Sequence, residues 1–196
     1  MSDIDLTQLA GISAWIAAVA TVVGMATLLV FFARGGRWGS ANDAASVVLM
    51  LALIPPAIVL ALIQSEDVGV IAFAAAAVGI AAMLVAALLQ ALLVIGRVTY
   101  EQTKLAVLGL GAVVGAWYLS VAIMGGGTDL PDGLRIAAAA SGAGFIAVAY
   151  GFARGGERHP ASVVGGLVAF AASLLVQVWL GALLLGGSLT VPGEIG

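Results

Sequence analysis

Residues 68–95 read VGVIAFAAAAVGIAAMLVAALLQALLVI, twenty-eight positions with one polar side chain, Gln90, and no charge. A run of about 20 apolar residues is what an α-helix needs to cross the hydrocarbon core of a bilayer. Lipid offers nothing to unpaired backbone groups, so such a segment must close its hydrogen bonds within itself, as a helix does. A β-barrel strand would instead alternate apolar and polar residues over about 10 positions. This stretch does not alternate anywhere, and it sets the class as all-α and membrane-spanning.

Five more runs of the same kind surround it. The expected spans are 9–33, 44–63, 68–95, 105–124, 134–153 and 162–185. Together they make one integral membrane domain over 1–196, a bundle of six helices in three hairpins. The bulk numbers agree. The chain is 63% hydrophobic and 9% charged, where a soluble domain has about 45–50% apolar and about 25% charged residues. That balance excludes a soluble globular protein and a disordered tail. Seven basic residues in 196, with a formal net charge of −3, exclude a nucleic-acid binder, which needs clustered basic side chains. The first residues, Met1-Ser2-Asp3-Ile4-Asp5, are acidic. A cleaved secretory signal begins with a basic region, so span 1 is expected to stay in the membrane.

The basic residues predict orientation. Arg34, Arg37, Arg97, Lys104, Arg154 and Arg158 fall in loops 1, 3 and 5, and only Arg135 falls on the other side. Positively charged loops stay cytoplasmic, which puts both termini outside. The acidic residues Asp3, Asp5, Glu66, Asp67, Asp129, Asp132 and Glu194 lean the opposite way. Six of the seven basic residues are Arg, and Ala and Gly abound, as in a GC-rich bacterial genome. The expected location is therefore the cytoplasmic (inner) membrane of a bacterium.

A short internal match accompanies the hairpins. Phe32-Ala33-Arg34-Gly35-Gly36 recurs as Phe152-Ala153-Arg154-Gly155-Gly156, and Ala45-Ser46-Val47-Val48 as Ala161-Ser162-Val163-Val164. Spans 1–2 and 5–6 thus read as candidate copies of one hairpin. Small-residue pairs at a spacing of four, Ala20/Gly24, Ala75/Gly79, Gly111/Gly115 and Ala140/Gly144, let helix backbones approach closely. They serve either packing within one bundle or a dimer face.

Few residues offer chemistry. Pro55-Pro56 falls near the middle of span 2 and predicts a kink. Such a kink is either a hinge beside a substrate site or a static bend held by a neighbour. Gln90 and Gln177 are the amides at depth, suited to an interhelical hydrogen bond or to a path for a neutral solute. Glu157-Arg158-His159 is the most chemically dense segment. His159 is the single histidine and there is no cysteine. One histidine cannot build a bis-His haem site or an HExxH zinc site. Beside Pro160 it reads as a helix-boundary residue. No catalytic, cofactor-binding or metal-ligating residue is expected.

At Pro131-Asp132-Gly133-Leu134 and Gly155-Gly156-Glu157-Arg158-His159-Pro160, followed by Gly165-Gly166 and Trp179-Leu180-Gly181, the chain resembles small six-span bacterial membrane proteins. Those families consist of a domain of unknown function. The resemblance covers mainly the last third, implies a multi-pass fold and carries over no catalytic residue. The expected function is a non-enzymatic accessory, structural or regulatory membrane component, the alternative a small permease for a neutral or hydrophobic solute. An enzyme acting on lipid would rest on His159 and its loop alone. Expected partners are the lipid bilayer, further copies of the chain or other membrane proteins, with no nucleic acid.

Overall fold

The computed structural model describes residues 5–189 and 191. Asp3 and Glu194, counted above among the acidic residues, lie outside the described residues, as do both chain ends. Every regular element described is helical: α1 Leu6–Arg34, α2 Trp38–Ala52, α3 Ile54–Val68, α4 Val70–Val94, α5 Tyr100–Met124, α6 Asp132–Gly155 and α7 Pro160–Leu185. Short 3-10 turns at Gly125–Gly127 and Gly156–Arg158 follow α5 and α6. Helices α2 and α3 run on as one bent crossing, so six helical stretches are long and apolar enough to span a membrane.

The helices outrun the apolar segments. Polarity marks where hydrocarbon ends, but a helix stops only where its backbone is capped. Helix α1 is capped at its start by Asp5, whose carboxylate accepts from Gln8 N at 2.6 Å. Helix α5 begins five residues before Leu105, because Thr99 and Gln102 form a reciprocal capping box. Span 2 was expected over 44–63, but the crossing runs from Trp38 to Val68. Asp43 therefore sits in the second turn of α2 rather than outside it. The expected 28-residue third span is shorter, because Gly69 (φ +59°) ends α3 and α4 starts immediately after it. That left-handed φ is open to glycine without steric cost.

Short connections make consecutive crossings antiparallel neighbours. Contacts run α1–α2, α2/α3–α4, α4–α5, α5–α6 and α6–α7, and α1 then closes on α7. The result is a ring of six crossings in chain order. One end carries Arg34, Arg37, Arg97, Lys104, Arg154 and Arg158 and is called the basic end below. The other carries Glu66, Asp67, Asp129, Asp132 and Arg135.

The interior is small and the exterior is large. More than half of the buried apolar side chains are alanine, while leucine, valine and isoleucine dominate the exposed surface. In lipid no hydrophobic force holds helices together, so close approach of small residues replaces it. Each glycine of the small-residue pairs that makes a close contact meets a neighbour in this same chain. Gly24 faces α2, Gly79 sits under the Trp117 ring of α5, Gly115 meets the Gly142 carbonyl of α6, and Gly144 meets Ala169 of α7. Three tryptophans fill against glycines: Trp15 on Gly181, Trp117 on Gly79 and Trp179 on Gly133. The two Phe-Ala-Arg-Gly-Gly copies both end a helix, but one residue out of step, at the Gly35 and Gly156 caps (φ +66° and +75°). The Ala-Ser-Val-Val copies sit at unequal depths, two turns into α2 and in the first turn of α7.

Candidate functional site

The α2–α3 bend lies at the centre of its crossing. Leu53 is the middle residue of the thirty-one in its crossing. Pro56 has no N–H to give the carbonyl of Ala52, and Pro55 none for Leu51. The Ser13 hydroxyl of α1 donates to the Ala52 oxygen at 2.7 Å, in a buried position. Leu53 N–H, bonded to Leu49, also reaches toward the Leu51 oxygen. The bend is thus held by a neighbouring helix.

A second polar group occupies the interior between α1, α5 and α7. The Thr21 hydroxyl lies 2.8 Å from both the Ala17 carbonyl and Gln177 Oε1. It has one proton for two acceptors. Gln177 Nε2 and the Tyr118 hydroxyl meet no hydrogen-bond partner within the protein, although Tyr118 lies against the same amide. A half-turn of the amide would let Nε2 donate to Thr21 and Oε1 accept from Tyr118. The chain Tyr118–Gln177–Thr21–Ala17 carbonyl would then be complete. Ser141 of α6 is fully buried, and its hydroxyl is also unpartnered. No charged side chain stands among the buried described residues.

Gln90 and Gln177 do not meet. Gln90 lies in the last turns of α4 at the basic end, its Oε1 enclosed and unpartnered. Helices α4 and α7 are not in contact. Gln64 was expected in the loop after span 2, yet it is buried in α3 and donates to the Val121 carbonyl of α5 at 2.9 Å. Its spacing of seven, four and three from Ala57, Leu60 and Ala61 put it on their helical face, and that spacing was the available signal. Arg135, the exception in the charge pattern, donates through Nε to the Ala122 carbonyl at 3.1 Å and pairs with Asp132 at 2.8 Å. Near the end of α5 the Val121 carbonyl also accepts from the backbone N–H of the cap residue Gly125. Two carbonyls in its last turn, those of Val121 and Ala122, thus take donors from side chains of other helices.

At the basic end, His159 caps α7: its Nδ1 accepts from Ala161 N at 3.2 Å, and Pro160 follows at the first helical position. The ring stands edge-on to Tyr150, which Arg154 covers 5.5 Å from the ring centre. Glu157 and Arg158 line a cleft of about 380 Å3 between the start of α5 and the end of α6. An apolar groove of about 520 Å3 runs between α1, α2 and α7, walled by Trp15, Val19, Val48 and Leu185. At the opposite end Glu66, Asp67 and Asp129 edge a polar hollow of about 170 Å3. Among the described residues no group of His, Asp and Glu has the arrangement of a metal site.

No family model, no curated protein and no solved structure matches this chain. Any functional reading therefore rests on the residues just described.

Proposed function

We propose that the protein is a non-enzymatic multi-pass component of a bacterial cytoplasmic membrane, with an accessory, structural or regulatory role. Its basic end lies in the cytoplasm and both termini lie outside. The observation that carries this reading is the use to which the interior polar groups are put. Ser13, Thr21 and Gln64 each bond another helix of the same chain. Interhelical bonds of this kind contribute about 0.6–2 kcal/mol each and hold packing in place. Ion- or proton-coupled transport instead places charged side chains inside the bundle. Gentle detergent extraction with cross-linking tests the reading. It expects a co-purifying membrane protein or a homo-oligomer, and a solitary monomer counts against it.

One observation favours a second reading, a permease for a small neutral solute. Polar side chains from four helices, Thr21, Tyr118, Ser141 and Gln177, are enclosed in the bundle. The chain has no cysteine, so single cysteines introduced along α1, α5, α6 and α7 report water access without background. A line of reactive positions through the bundle supports the permease, and uniformly unreactive positions eliminate it.

A further inference from the structure

We propose that the cleft at the basic end of α5 and α6 binds the headgroup of a zwitterionic aminophospholipid, a phosphate joined to a primary ammonium as in phosphatidylethanolamine. The proposal stands apart from either reading of the protein's function.

The cleft is layered as a lipid is layered. Its upper wall carries Glu101 and Lys104 from the first turns of α5, and Glu157 and Arg158 from the turn after α6. Its lower wall is Leu105, Leu108 and Phe152. Leu105 is 69% exposed and Tyr100 is 54% exposed, so the cleft opens sideways onto the bundle's outer surface. Leu105 is also the first residue of the uninterrupted apolar run of span 4. The opening therefore lies where headgroups give way to hydrocarbon. One turn further along α5, Gly109 leaves open space beside the helix. Acyl chains have room to leave the cleft into the bilayer. The volume, about 380 Å3, falls in the range of about 300–1,000 Å3 typical of small-ligand sites.

The charge pattern selects the headgroup. Two cations and two carboxylates line the cleft, so its sum is neutral. A purely anionic headgroup gains from Arg158 and Lys104 but meets Glu101 and Glu157. A zwitterion satisfies both signs. Lys104 is already paired with Glu101. Neither Glu157 nor Arg158 belongs to an ion pair among the described residues. Arg158 is then free for the phosphate, for which guanidinium geometry is suited. Glu157 is free for the ammonium. The Tyr100 ring also lines the cleft, and aromatic faces attract cations. A primary ammonium donates hydrogen bonds to carboxylates, whereas the trimethylated group of phosphatidylcholine cannot.

Native mass spectrometry of the full chain in a non-ionic detergent tests the site. Phosphatidylethanolamine, phosphatidylglycerol and phosphatidylcholine with the same acyl chains are offered at equal concentration. The expected result is retention of phosphatidylethanolamine about tenfold above the other two. Arg158→Gln lowers retention of both phosphatidylethanolamine and phosphatidylglycerol. Glu157→Gln lowers phosphatidylethanolamine alone and erases the preference. Both side chains are exposed, and unchanged helical circular dichroism confirms that each variant folds. Equal retention of the three lipids, or a preference that survives both substitutions, overturns the site. Soluble phosphoethanolamine is added in a further arm. If it strips the lipid at an equal concentration, the acyl chains contribute nothing and the lipid assignment is overturned.

Discussion

Ser13 and Pro56 form one device. Pro56 removes the donor that would have met the Ala52 carbonyl, and Ser13, thirty-nine residues from Ala52 in the chain, supplies another. The pairing predicts a non-additive cycle. Ser13→Ala alone leaves a buried carbonyl unmet and lowers stability by about 0.6–1.7 kcal/mol. In a Pro56→Ala background the restored N–H serves the same carbonyl, and the loss from Ser13→Ala shrinks toward zero. Thermal unfolding in detergent of the four proteins gives the coupling directly. Equal effects in the two backgrounds would mean that Ser13 does something other than repair the bend. A serine in an apolar helix is visible in the sequence, but its partner is not. Hydrogen-bond partners so far apart in the chain are set only when the helices pack.

The same substitution should have opposite signs at two glycines of different elements. In Gly79→Ala the new methyl would lie 2.7 Å from Trp117 Cγ, and Trp117 is itself buried. Overpacking of this kind costs about 1–3 kcal/mol. In Gly166→Ala the nearest atom, a Val148 methyl, is 3.9 Å away. There alanine's better helix propensity, worth up to about 1 kcal/mol, is all that remains. Melting temperature should fall for the first and hold or rise for the second, and a matching fall in both would contradict the packing described. The start of α7 gives another test at this scale. His159→Ala removes the side-chain acceptor on Ala161 N, a loss of about 0.5–2 kcal/mol, whereas His159→Asn replaces it with a better one. Helix content and melting point should rank Asn at or above His, and both above Ala. If alanine is neutral, the cap contributes nothing and His159 is held for another reason. The capping box at Thr99 and Gln102 was readable as Thr-x-x-Gln. Helices α2 and α7 begin ahead of the apolar runs at 44 and 162, because hydropathy marks the bilayer boundary and not the helix boundary.

At the scale of the whole molecule, closure of α1 on α7 is the feature with no local signal. It has a direct test. A Cβ at Gly11 would stand 3.2 Å from Leu184 Cβ, close to the approach of about 3.5–4.5 Å seen in disulfides. Leu185, which crowds the same position, is half exposed and can swing outward. Oxidation of Gly11→Cys/Leu184→Cys should give an intramolecular bond and faster migration in denaturing gels. Its absence would place α1 away from α7. The number of crossings, their alternation and the segregation of basic from acidic loops are properties of the chain's composition along its length. They follow from the cost of burying charge and unpaired backbone in hydrocarbon, and so were legible without coordinates. Which face of each helix turns inward was not. A soluble helix announces its inner face by a polar stripe opposite, but here lipid and interior are both apolar and α1 is hydrophobic on every side. The choice falls to the positions of glycine, alanine and a few polar groups, matched across helices. Only the assembled ring decides that Gln64 and Arg135 donate to the last turn of α5, that Gln90 and Gln177 stay apart, and that Glu157 and Arg158 share a cleft with Lys104.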